Sequence, residues 1–165
     1  MSVSEERQKF ITNMANGEWV GGLDYTLPKA EHDKAFKEQS EIWDNKMEDF
    51  IENCRDPEEL HTFVECYNWD SGTEPLLKIA ANPACDIKTA MLIFWAGEGL
   101  DYTDYESLEE VPSYHTDEWV LIRYVVDRAA AGEYGESVLG REFDTYSPKY
   151  EIIGEKWQVP RQLFN

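Results

Sequence analysis

Apolar residues in this chain recur at helical spacing. Between positions 29 and 54 the large ones are Phe36, Trp43, Met47, Phe50, Ile51 and Cys54, in steps of seven, four, three, one and three. The intervening positions are mostly acidic or polar, apart from Ile42 and the small Ala30 and Ala35. That stripe predicts a long amphipathic helix, because a strand would alternate its apolar residues every second position. Leu60, Phe63, Val64 and Tyr67 repeat the helical pattern at i, i+3, i+4 and i+7. Just ahead of them, Asp56-Pro57-Glu58-Glu59 supplies start signals. Asp56 can cap, Pro57 suits a first turn where its missing N–H costs nothing, and Glu59 can return as the acceptor of a capping box.

The remaining segments follow the same logic. Residues 4–14 predict a short polar helix, and 17–28, with Gly21-Gly22 and Pro28, a connecting loop. Asn68-Trp69-Asp70-Ser71-Gly72 is turn chemistry, after which 74–81 predicts a short helix stopped by Asn82-Pro83. Asp86 can cap 87–96, whose apolar residues point nearly all round the axis and mark it as the central helix. Residues 102–114 read as an acidic loop. Thr116-Asp117-Glu118 opens a last helix through Trp119, Ile122, Val125, Val126 and Ala129, ending near Gly132. Beyond it, 150–152 and 157–159 alternate on either side of Gly154, which fits a short extended hairpin or a coil draped over the helices.

The expectation is an all-α chain: one compact domain over residues 1–165, with five to six helices in antiparallel pairs. Residues 1–28 form an N-terminal helix and loop, 29–132 the helical core, and 133–165 an irregular or extended C-terminal segment. Punctuation by Gly and Pro raises the alternative of degenerate helical repeats, but no period recurs.

Composition narrows the function. With 165 residues, 42% of them hydrophobic and six Trp, the chain has material for a real core. It carries 15 Lys and Arg against 34 Asp and Glu, a formal charge of −19. Such a field repels a polyanion, which argues against nucleic-acid binding, and attracts a basic protein, peptide or metal ion. The longest apolar run, residues 90–96, is far short of the roughly 20 residues a spanning helix needs. The polar first ten residues lack the apolar stretch of a signal peptide. Cys54, Cys66 and Cys85 are an odd number without paired spacing, which suits reduced thiols. Together these predict a cytoplasmic protein without a membrane contact.

Catalytic signatures are mostly missing: no phosphate-binding loop, no dinucleotide glycine pattern, no Gly-x-Ser-x-Gly and no His-Glu-x-x-His. His61 and Cys66 sit roughly 140° apart on a helix, too far round the axis for a nucleophile pair. A zinc site from Cys54, His61, Cys66 and Cys85 has no announcing spacing. A calcium loop opening at Asn68 would put Ile79 where a bidentate Glu belongs, with Pro75 inside it. No two carboxylates stand out as an acid/base pair. No cofactor or metal is therefore expected. The alternative from another class is a hydrolase-like or metal-dependent enzyme using His61, Asp70 and Cys85, which requires those three to converge in a cleft.

Residues 98–118 stand out instead. They hold Glu98, Asp101, Asp104, Glu106, Glu109, Glu110, Asp117 and Glu118, no Lys or Arg, and Tyr102, Tyr105 and Tyr114. Like charges at that density cost stability, so a loop kept for connection alone gains nothing from them. Carboxylates that pair with Lys or Arg, beside tyrosines that give broad contact area, suit a surface that clamps a basic partner. The predicted partner-binding residues are Asp101, Tyr102, Asp104, Tyr105, Glu106, Glu109, Glu110 and Tyr114. The plainer alternative is a solvated loop. A second acidic surface, with Glu41, Asp44, Glu48, Glu52, Glu58 and Glu59, reads as the wet side of two helices.

The middle of the chain resembles a known family. His61, Tyr67-Asn68-Trp69-Asp70-x-Gly72, Pro75, Pro83-x-Cys85-Asp86, Thr89-Ala90 and Ile93-Phe94-Trp95 are similar to the signature of a bacterial domain family of unknown function. The likeness covers about residues 56–100 and extends weakly to Gly132-Glu133-Tyr134. It implies no chemistry, and its residues read as caps, turns and core aromatics. By composition, small acidic cytosolic proteins of this kind look similar to immunity proteins that neutralise antibacterial toxins. The expected function is thus an acidic protein-binding inhibitor, not an enzyme, that covers a basic surface of a cognate toxin. A third reading is an interaction module of a regulatory assembly.

Overall fold

The computed structural model describes residues 3–139 and 156–164. Among these are six α-helices: α1 Glu5–Asn16, α2 Lys29–Asn53, α3 Pro57–Cys66, α4 Glu74–Ala81, α5 Ile87–Ala96 and α6 Thr116–Ala130. No strand occurs among the described residues, and the fold is all-α.

Local chemistry sets most of the ends. Ser4 accepts from the backbone N–H of Arg7, and Gly17 closes α1 in the left-handed region at φ +73°. Asp56 accepts from Glu58 N at 2.9 Å, and Asp86 from Lys88 N at 2.8 Å. Gly132, at φ +70°, stands just past α6. The capping box predicted for α3 does not close through Glu59. Its carboxylate turns instead to Arg7, taking Nε at 2.8 Å and Nη2 at 2.7 Å. A bidentate charged pair outweighs one backbone N–H, and it fastens α1 to α3.

Alternate helices do most of the packing: α1 lies on α3, α3 on α5, α2 on α4 and α4 on α6. Helix α5 is central, touching α3, α4, α6 and the turn Arg161–Leu163. Its Ala90, Ile93 and Phe94 are fully buried, as the all-round apolar pattern requires. The ring of Phe63 lies between those of Phe50 and Tyr67, with centroids 5.7 and 5.5 Å away. The stripe predicted along α2 reaches the core only near its end, where Phe50 and Ile51 are buried. Trp43 and Met47 are half-buried, and Phe36 is exposed, its ring tilted against that of Trp19 at 5.7 Å.

At the C-terminus Trp157 and Val159 are buried and Gln158 is exposed, but this stretch is irregular and lies over the helices. The other arm of the hairpin considered from sequence, 150–152 with Gly154, lies outside the described residues. Trp95 Nε1 donates to the carbonyl of the buried Leu163 at 2.7 Å, tying the tail to α5. No described helix is long and apolar enough to cross a membrane.

Candidate protein-binding site

The acidic segment leaves α5 through Gly97-Glu98-Gly99. A Cβ on Gly99 would come within 2.5 Å of two ring carbons of Phe94, and one on Gly97 within 2.9 Å of Ile122 Cδ1. Backbone pressed this close to α5 and α6 has no room for side chains there. Between the glycines Glu98 adopts φ +53°, a left-handed conformation that costs a non-glycine residue roughly 1–2 kcal/mol.

The acidic segment is not an open loop. It folds into three short 3₁₀ turns, Gly99–Asp104, Leu108–Glu110 and Ser113–His115, laid against α6. Several groups pin it from beneath. Thr103 is fully buried, and its hydroxyl donates to Leu100 O at 2.7 Å. Val111 is buried. The carbonyl of Tyr105 accepts from Trp157 Nε1 at 2.7 Å and from Trp119 Nε1 at 3.4 Å, the two indoles meeting edge to face.

Tyr102 is another of these pins, which corrects its expected place at the contact surface. It is 6% exposed, and its hydroxyl lies 3.4 Å from Nδ1 of His115. Burial pushes its phenol up to about 12, helped by the negative charges of Glu118, Glu98 and Asp101. Its ring is the largest of the side chains in the acidic segment that the fold takes inward, with Thr103 and Val111. Tyr105 is half-buried.

The outer surface carries the rest of the predicted set. Asp101, Asp104, Glu106, Glu109 and Glu110 are all exposed, and Tyr114 is 76% exposed with its ring 4.5 Å from that of His115. Leu108, not among the predicted residues, is 43% exposed beside them. Glu110 accepts from the backbone N–H of Glu106 at 3.1 Å and pairs with Lys156 at 3.3 Å, and the two lower its carboxyl below the ordinary value. Glu109 is lowered by its own backbone N–H and by the Ser107 hydroxyl. Both remain ionised well below neutral pH. The arrangement is an anionic, partly apolar surface on a backbone held from below.

The alternative trio does not assemble. His61 is 2% exposed on α3, with Nδ1 at 3.0 Å from the buried Thr89 hydroxyl. Cys85 is buried, its thiol pushed up to about 12 by desolvation, which suppresses the thiolate a nucleophile needs. Asp70 is exposed on the turn Trp69–Ser71, whose first N–H groups are served by Asn68. Two of the three are inside and one is outside. Among the described residues no group of His, Cys, Asp and Glu is placed to hold a metal.

Comparison with known proteins adds one match. Residues 55–130 fit the model of a family described as a domain of unknown function (DUF4274). The matched span runs from the start of α3 to the end of α6 and includes the pinned acidic segment, while α1, α2 and the C-terminal turn lie outside it. No curated protein and no solved structure matches the chain.

Proposed function

We propose that this chain is a binding protein rather than an enzyme, an inhibitor that captures a basic protein on the face formed by residues 98–118. The observation that carries the reading is the separation of roles within that segment. Tyr102, Thr103 and Val111 are buried, whereas Asp101, Asp104, Glu106, Glu109 and Glu110 are turned out with Leu108 and Tyr114. Committing three buried side chains to hold five carboxylates in fixed positions is sensible only if something reads those positions. A partner rich in Lys and Arg would be steered by the −19 field and then paired locally, with Tyr114 and Leu108 supplying desolvated contacts. Tyr102 and Tyr105 contribute by holding the backbone.

The most economical biological setting is that of an immunity protein that occludes a cognate antibacterial toxin in the cytoplasm. Three free cysteines suit such a reducing compartment. The decisive experiment asks whether the neighbouring reading frame encodes a toxin domain and measures the affinity of this chain for that purified domain. Asp101→Lys, Asp104→Lys and Glu106→Lys together should weaken binding more than tenfold, chiefly through slower association, and flatten its salt dependence. An unchanged affinity and salt slope would remove this face from the function.

A further inference from the structure

A second surface lies where α4 meets α2 and α6. Helices α2 and α4 enclose an open cleft of about 670 Å³, and α4 and α6 enclose a groove of about 500 Å³. Both are lined by Leu77, Lys78 and Val120, so they form one continuous trough. Each wall is a helical face that packs on α4 at its base, and among the described residues no further helix covers its outer part. On α2 that face is Asp44, Met47, Glu48 and Ile51, and on α6 it is Val120, Arg123, Tyr124 and Asp127, both at i, i+3, i+4, i+7. This is the spacing by which one helix receives another.

We propose that this trough is a docking site for a cationic amphipathic helix of a partner protein. Its floor is apolar: Met47, Leu77 and Trp119 are half-buried and Val120 is 38% exposed. Its walls are anionic. The two cations present are already engaged, Lys78 with Glu48 at 2.8 Å and Glu74 at 3.1 Å, and Arg123 with Asp127 at 2.8 Å. Asp44 and Asp117, on opposite walls, have no ion pair among the described residues. An occupant must therefore bring apolar side chains for the floor and positive charge for the rims. A second copy of this chain brings the wrong sign, since its −19 charge and its own carboxylates would oppose the same rims. Helix α4, with eight residues, is about 12 Å long, so the occupant engages about two turns and anchors three or four side chains.

This surface shares Asp117 with the 98–118 segment but does not rest on the function proposed for that segment. The probe is a fluorescein-labelled helical peptide with Leu at i, i+3, i+4 and i+7 and Lys elsewhere. Two controls are the same leucine frame with Glu for Lys, and an oligolysine without leucine. Anisotropy at physiological salt should show binding of the Leu/Lys peptide alone, and backbone amide shifts should cluster on α4 and the first half of α6. Val120→Asp should weaken that binding more than tenfold even though it adds negative charge, which a purely electrostatic contact would welcome. Asp44→Lys with Asp117→Lys should weaken it too. The triple reversal at Asp101, Asp104 and Glu106 should change it less than threefold, because none of the three lines the trough and exposed charges are screened over about 8 Å at that salt. Val120→Gln, neutral and similarly placed, repeats the test if Val120→Asp lowers the melting temperature. The proposal is overturned if oligolysine binds as tightly as the Leu/Lys peptide, if neither Val120 variant weakens binding, if the amide shifts fall in 98–115, or if sedimentation shows a self-association that Val120→Asp abolishes. Failure of the 98–118 reading would appear in the toxin affinity of the triple variant and leave the peptide result untouched.

Discussion

Nδ1 of His61 lies 3.0 Å from Oγ1 of Thr89, and both side chains are sealed between α3 and α5. Two polar residues within the span that matches the family model thus meet each other in the core. A hydrogen bond there joins α3 to α5, and its register is fixed because both groups are buried away from water. Thr89→Val keeps the shape and deletes the hydroxyl. The expected cost is about 1–3 kcal/mol in chemical denaturation, with an unchanged denaturant slope. A variant as stable as the parent would show that the pair does not couple the two helices.

Tyr102 and Tyr114 should respond oppositely to truncation. The ring of Tyr102 is buried under the acidic turns, so Tyr102→Ala should cost about 3–5 kcal/mol, the range for emptying an aromatic site. Tyr114 is 76% exposed, and Tyr114→Ala should leave the melting temperature within about a degree of the parent while weakening capture of a basic partner. Thermal melts alone distinguish the two roles. Equal destabilisation would mean that the 3₁₀ turns are not seated as described.

The features legible in the sequence were those set by neighbours along the chain. Asp56 and Asp86 cap as their positions dictate, Asn82-Pro83 stops α4, and the all-round apolar run 87–96 is the central helix. The features that were not legible depend on distant partners. Glu59 has ordinary capping-box spacing, and only Arg7, on a different helix, diverts it. Tyr102 is indistinguishable from Tyr114 by composition, and its burial depends on how the segment lies on α6, with His115 against its hydroxyl. The trough draws Met47, Leu77 and Val120 from three helices. Met47 belongs to the α2 stripe while Val120 lies outside the α6 stripe, and nothing in either pattern tells which part of a helix remains uncovered.

The three thiols should label in a fixed order. Desolvation pushes Cys54 up to about 11 and Cys85 up to about 12, and both are buried. Cys66 is only half-buried, beside the Thr12 hydroxyl at 3.5 Å. Brief alkylation of the folded protein at neutral pH, read by peptide mass, should modify Cys66 first, and Cys54 and Cys85 only at the rate of opening. Rapid native labelling of Cys85 would contradict its place in the core.

The Arg7–Glu59 pair should shape the acid limb of stability. Arg7, itself raised by the Glu59 hydrogen bond, holds the Glu59 carboxyl below its ordinary 4.5 through hydrogen bonds first and charge second, against the opposing effect of burial. A carboxyl lowered on folding contributes stability that is fully present above its unfolded value and disappears as the pH falls through its folded value. The stabilisation is therefore intact at neutral pH and is lost below about pH 4.5. Arg7 is 42% exposed, so solvent screens the pair; removing it by Arg7→Ala should cost about 1–2 kcal/mol at neutral pH, some of that from lost contact with the Phe10 and Phe50 rings. Glu59→Gln keeps the shape and removes the titration. Its stability should run parallel to that of the parent above pH 6 and converge on it towards pH 3, because protonation has by then done to the parent what the substitution did. Denaturant midpoints for the two proteins across that range test the point, and a constant gap down to pH 3 would mean that the pair does not titrate with folding.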